Sequence, residues 1–223
     1  MKLPAIVVNF KTYEGATGKK ALELARIHDK VARAAGVTLA VAVQAVDLRM
    51  IVEEVDIPVF AQHFNLAQQG AFTGHITPHS LKEIGVYGSL LNHAEKKLTL
   101  DILERSIELA RDIGLFTIVC ADTPYAGKAA SEFDPDLVAV EPPELIGGDI
   151  SVTTASPQVI IDAVAMIGKD RVLVGAGIKT AEDVRASLRY GACGVLLASG
   201  VVKSADPEKT LFDLVQPLRS VAR

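Results

Sequence analysis

The chain of 223 residues has no tryptophan, only two cysteines, and few aromatic side chains, 5% in all. Cys120 and Cys193 each sit inside an apolar run, so a disulfide-stapled secreted fold is not indicated. Reduced, buried thiols in a cytoplasmic protein are expected instead. Without tryptophan the core must be largely aliphatic, which suits a parallel sheet covered on both faces. No uncharged apolar stretch approaches the ~18 residues needed to span a bilayer. Met1-Lys2-Leu3-Pro4 leads straight into a strand-like segment with no leader-type apolar region, so neither a signal peptide nor a membrane partner is expected. The formal net charge is -4, with Lys and Arg dispersed along the chain. That argues against a nucleic-acid partner. No Ser/Gly-rich linker, charge block or low-complexity tract divides the sequence, and one domain over residues 1–223 is expected.

What the sequence does contain is alternation. Apolar or β-branched runs occur at Ala5–Val8, Thr38–Val43, Pro58–Ala61, Gly88–Leu91, Phe116–Cys120, Leu137–Val140, Val172–Val174 and Gly194–Leu197. Helix-period segments separate most of them. Ala21–Ala34 gathers Leu22, Leu24, Ala25, Ile27, Val31 and Ala32 against a Lys/Arg side, and Leu100–Asp112 does the same before Gly114. Ser156-Pro157 and Asp206-Pro207 read as N-cap and first-turn pairs, and Thr180 with Asp183 as a capping box. About eight strand–helix units without a break point to an α/β chain closed into a single (β/α)8 barrel. An open doubly wound sheet is the alternative that pattern alone leaves.

The most informative stretch is Val138–Asp149. An apolar run ends in Glu141, two prolines follow, and a short loop closes on Gly147-Gly148. A strand that delivers a carboxylate to its own tip beside a stiffly hinged loop suits a proton-abstracting base under a lid. In a barrel the reacting groups gather where strands end. Strand one would end at Asn9-Phe10-Lys11, strand four at Asn92-His93, and strand six at Glu141. Strands seven and eight would end in Gly175-Ala176-Gly177 and Ala198-Ser199-Gly200. An ammonium, an imidazole and a carboxylate would then converge beside small-residue turns whose amides suit a phosphate.

These residues also carry a resemblance. Asn9-Phe10-Lys11, Ala61-Gln62 with Gly70-Ala71-Phe72-Thr73-Gly74, Asn92-His93-Ala94-Glu95-Lys96-Lys97 and Glu141-Pro142-Pro143-Glu144-Leu145-Ile146-Gly147 together resemble the triosephosphate isomerases, in the wording of their compact archaeal branch. The resemblance runs in order from Asn9 to Ser199. It implies a single TIM barrel that interconverts dihydroxyacetone phosphate and D-glyceraldehyde 3-phosphate. By this resemblance Glu141 would be the base, and His93, neutral and opening a short helix, the electrophile. Lys11 would steady developing charge. Asn9, Ile146, Gly147, Gly177, Ala198 and Ser199 would contact substrate, the amides of the last four holding its phosphate. Glu95 would support Lys11 or cap the short helix, and Pro142 to Asp149 would be the lid. The loop Gly70 to His79, with Thr73 at its tip, would project into a second copy, giving a homodimer or homotetramer. No cofactor or metal is implied. Ala94 stands where the family usually has Ser, and Asn92 where many members have Gly; Asn92 is expected to have no chemical role.

Other readings have their own residues. His63, His75 and His79 are close in sequence, yet they lack metal-ligand spacing and a neighbouring carboxylate pair. A Schiff-base aldolase would use a lysine nucleophile, for which Lys11 on the first strand and Glu141 on the sixth fit poorly. A silent sugar-phosphate binder would have no use for the base.

Overall fold

The computed structural model describes residues 1–146, 148 and 151–221. Eight parallel strands pair in chain order, the last with the first, to close a barrel. The chain runs β1 (Ala5–Asn9), α1 (Lys19–Ala35), β2 (Thr38–Val43), α2 (Leu48–Val52), β3 (Val59–Ala61), α3 (Pro78–Glu83), β4 (Gly88–Leu91) and α4 (Leu100–Asp112). It continues through β5 (Phe116–Ala121), α5 (Pro124–Ser131), β6 (Leu137–Val140), α6 (Val152–Ala155), α7 (Pro157–Ile167), β7 (Val172–Val174) and α8 (Ala181–Arg189). It ends in β8 (Gly194–Leu197), α9 (Ser199–Val202), α10 (Pro207–Leu214) and α11 (Gln216–Val221). The closed barrel replaces the open-sheet alternative.

Alternation along the strands sorts the core into two layers. Val7, Ala40, Ala42, Phe60, Leu90, Ile118, Cys120, Leu137, Ala139, Leu173 and Leu196 pack together inside the barrel. Their sequence neighbours Ile6, Val8, Leu39, Val41, Leu91, Val119 and Val195 face the helices, where Leu24, Val31, Leu103 and Ile107 meet them. Both faces of each strand are therefore apolar, which is why the strands read as continuous runs. In place of tryptophan, Phe60, Tyr87 and Phe116 fill the N-terminal end, with Phe60 edge-on to Phe116 at 5.9 Å.

The helix ends follow local chemistry. Gly36 (φ +66°) stops α1 and Gly114 (φ +70°) follows α4, both in the left-handed conformation that a side chain disfavours. The Thr180–Asp183 capping box forms at the start of α8, and Asp206 accepts from the Lys209 amide at the start of α10. Ser156 stands at the N-cap of α7, but its hydroxyl makes no cap hydrogen bond. At φ -150°, ψ 60° it serves as the joint between α6 and α7 rather than as a hydroxyl cap.

Candidate active site

Inward-facing positions continue past the strand ends, and at the C-terminal rim they turn polar. Asn9 follows Val7, and Glu141 follows Leu137 and Ala139. Adjacent registers pair Cys120 with Ala139 and Val140 with Val174. Glu141 therefore emerges between Cys120 on one side and Gly175 on the other. Its amide donates to Ala121 (2.8 Å), and the Gly175 amide donates to Val140 (2.9 Å). A β-carbon on Gly175 would lie 2.2 Å from Cγ of Glu141. Only a glycine leaves this carboxylate its space.

Glu141 is 6% exposed. Burial raises its pKa from 4.5 to about 7, against the opposing effects of a hydrogen bond from the Cys120 thiol and of the Lys11 charge. Its Oε2 is buried with no hydrogen-bond partner among the described residues, and it lies 3.7 Å from Nε2 of His93. An orphaned buried carboxylate oxygen is costly and asks for a functional account.

His93 is also buried. Its Nδ1 accepts from the Glu95 amide (3.2 Å), which leaves the ring proton of the neutral imidazole on Nε2, facing Glu141. Its pKa is lowered by burial first, then by the Lys11 charge. The expected helix at Ala94–Lys97 is absent: the chain there is a turn closed by the Lys96 amide on the His93 carbonyl (2.8 Å). A helix dipole is thus not the cause of the shift, and Glu95 caps no helix. Instead its carboxylate holds Nζ of Lys11 at 2.7 Å.

Asn9 and Lys11 are clamped together. Oδ1 of Asn9 accepts from the Lys11 amide (2.9 Å) and from Nε2 of Gln62 (3.2 Å), and Gln62 also donates to the Lys11 carbonyl (2.9 Å). Lys11 is held at φ +48°, an uncommon value for a long side chain. Asn92, at φ +58°, donates to the Cys120 carbonyl and accepts from the Leu98 amide, both at 3.0 Å. It pins the His93 turn to strand β5, a structural part beside the expectation that it has no chemical one.

One cleft is lined by Asn9, Lys11, His93, Glu141, Ile146, Gly177, Ala198 and Ser199. The family resemblance names each of these eight; Tyr13 and Lys179, which also line the cleft, it does not. Thr73 is exposed on the loop between β3 and α3, outside the cleft. Gly147, expected to offer an amide, and Asp149, at the far end of the expected lid, lie outside the described residues. A larger groove of roughly 770 Å³ opens at the opposite end of the barrel. Its cations are engaged: Lys82 with the Gly114 carbonyl, Arg111 with those of Phe133 and Asp134, Arg171 with Asp134. The titratable cluster of Lys11, His93 and Glu141 lines the smaller cleft.

A buried carboxylate with a pKa near neutrality, an imidazole N–H beside it and an ammonium can move a proton next to a carbonyl and stabilise the oxyanion that forms. The family model for triosephosphate isomerase matches residues 4–217. The chain belongs to the triosephosphate isomerase family. It is 48% identical to the triosephosphate isomerase of Methanocaldococcus jannaschii over 95% of this chain and 98% of that protein. It is 44% identical to that of Methanosarcina acetivorans over 97% and 99%, and 42% identical to that of Pyrobaculum calidifontis over 98% and 97%. Three neighbours hold places that the sequence does not announce: Gln62 on Asn9 and Lys11, Cys120 on Glu141, and Gly175 as the space beside Glu141, where a phosphate-binding turn is the expectation. Gln62 follows inward Phe60 by two residues, Gly175 follows inward Leu173 by two, and Cys120 is itself inward, so strand parity was the available signal.

Proposed function

We propose that this chain interconverts dihydroxyacetone phosphate and D-glyceraldehyde 3-phosphate as a triosephosphate isomerase, with Glu141 as the base. Glu141 takes the C1 proton of the ketose through its unpartnered Oε2. The Nε2–H of His93 donates to the carbonyl oxygen, the enediolate forms, and a proton returns at C2. Lys11 leaves part of its pairing with Glu95 to face the enediolate and phosphate charge. Asn9 adds a polar contact, Ile146 covers the substrate, and the amides of Gly177, Ala198 and Ser199 hold the phosphate. Gly147 belongs to that phosphate set by resemblance only. Neither a cofactor nor a metal enters, because transfer between adjacent carbons needs only a base and an electrophile. The observation that carries this reading is the facing pair of Glu141 Oε2 and His93 Nε2, 3.7 Å apart. The first is poised to accept a proton and the second to donate one.

The barrel acts as one domain over residues 1–223 in the cytoplasm; no helix among the described residues is long and apolar enough to cross a membrane. Phe72 is 41% exposed on the loop Gly70 to His79, beside Thr73. A second copy covering that tip makes a homodimer or homotetramer in which Thr73 supports the partner's cleft. A coupled assay with glyceraldehyde 3-phosphate, run beside Glu141→Gln, tests the function. Fast wild-type turnover that collapses in the variant supports it; a wild type without turnover that still binds inorganic phosphate overturns it in favour of a binding protein.

A further inference from the structure

We propose that Tyr13, held in place by Lys203, is a specificity-determining residue for the isomerisation: its ring walls the phosphate end of the cleft and limits the substrate to three carbons. The inference rests on the functional reading above. Tyr13 lies two residues beyond Lys11, on the loop that leaves β1, and it lines the same cleft. Neither the base, the electrophile nor the phosphate amides need an aromatic ring beside them. The backbone there is fixed, since the Tyr13 carbonyl accepts from the Ala16 amide (2.9 Å) and from the Thr17 hydroxyl (3.1 Å). The side chain is half-buried and packs against the apolar layer between barrel and helices.

A second element holds the ring. Lys203 follows α9, and its amide donates to the Ser199 carbonyl at 3.1 Å. Its Nζ stands over the Tyr13 ring, 4.7 Å from the centroid, within reach of cation–π attraction. The two segments also meet through their backbones: a β-carbon on Gly15 would stand 3.6 Å from the Val202 carbonyl oxygen, in ordinary contact. α9 opens at Ser199, which lines the cleft together with Ala198 and Gly177. Tyr13 is therefore set against the element whose first residue is proposed to hold the phosphate. A substrate is fixed at two points, its carbonyl beside His93 and Glu141 and its phosphate at these amides. The barrel sets the spacing between the two, so an extra carbon pushes the phosphate outward, against what stands beside α9. Tyr13 stands there. With only two side-chain torsions and a cation over its face, the ring yields little.

D-Erythrose 4-phosphate, one carbon longer and with the same proton to remove at C2, is the probe. Loss of that proton in deuterium oxide, followed by NMR, gives a kcat/KM to set beside that for glyceraldehyde 3-phosphate. The wild type should favour the three-carbon substrate, and Tyr13→Ala should shift the ratio about tenfold or more toward the four-carbon one. Tyr13→Phe, which keeps the ring, should hold the wild-type ratio. Lys203→Met keeps the stem without the charge and should shift the ratio about threefold, and Lys203→Arg should restore it. Tyr13→Val carries the same test should alanine impair folding. A merely structural role would lower both kcat/KM values together and leave their ratio unchanged. That result overturns the inference, as does a wild type that takes both substrates equally. A wild type without turnover of glyceraldehyde 3-phosphate removes the functional reading and this inference together, whereas an active wild type with an unshifted ratio in Tyr13→Ala removes this inference alone.

Discussion

At Gly175 the absence of a side chain makes room for Glu141, the proposed base. The β-carbon of an alanine there would meet Cγ of Glu141 at 2.2 Å and Oε1 at 2.6 Å, so the base must move or the strand must yield. Gly175→Ala should keep the barrel, as circular dichroism would show, and lower kcat by about a hundredfold, since displacement of a reacting group by an ångström has that order of effect. Wild-type kcat in that variant would mean that Glu141 reacts from another position. Glu141 itself pays for its readiness in stability. Its folded pKa of about 7 exceeds the ordinary glutamate value of 4.5, so the native state holds its proton more tightly than the unfolded chain does. The associated stability is present below pH 4.5 and is lost as pH rises through about 7. Glu141→Gln should therefore exceed wild type by up to about 3 kcal/mol at pH 8 and by little at pH 4, read from denaturant melts. Equal melts at both pH values would refute the raised pKa.

Elements were legible in the sequence to the extent that one period governed them. The eight apolar runs mark β1 to β8 within a residue at either end, because strands buried on both faces admit few polar interruptions. The predicted Leu100–Asp112 is α4 to the residue, and Ala21–Ala34 falls inside α1 (Lys19–Ala35). What escaped the reading is set by dihedral angles and tertiary contacts. The segment after His93 has helix-forming residues, yet it is a turn because Asn92 enters it at φ +58° and its side chain holds both Cys120 and Leu98. Of the site residues named by family resemblance, Asn9, Lys11, His93, Glu141, Ile146, Gly177, Ala198 and Ser199 line one cleft and Thr73 lies outside it, while Gln62, Cys120 and Gly175 meet these side chains from neighbouring strands. Asn92→Gly keeps the backbone conformation and loses both hydrogen bonds; Asn92→Ala loses both and adds strain. The first should cost about 2 kcal/mol of stability and the second about 1 kcal/mol more. An alanine variant more stable than the glycine variant would show that the left-handed backbone is not what Asn92 secures.

Across the whole molecule, function and fold pull the pH dependence in opposite directions. His28 on α1 is fully buried, its Nδ1 on the Leu24 carbonyl at 2.7 Å and its ring 5.5 Å from that of Phe10. Burial lowers its pKa from 6.5 to about 4, the backbone hydrogen bond opposing this in part. The unfolded chain therefore binds the proton first. The stability this histidine contributes is complete above pH 6.5 and drains away as pH falls towards 4, amounting to about 3 kcal/mol. Over much of that interval Glu141 changes with the opposite sign, so the two nearly cancel. Burial lowers His63 to about 4 as well and also lowers His93, so the balance tips and the wild type should weaken modestly on acidification. Glu141→Gln, stripped of the compensating carboxylate, should lose stability more steeply between pH 6.5 and 4. His28→Leu, which keeps the volume and cannot charge, should be flatter than wild type or even gain. Urea midpoints at half-unit pH steps decide the matter: parallel curves for all three proteins would mean that neither buried group sets the acid limit, and crossing curves that the base and the buried histidine set it between them.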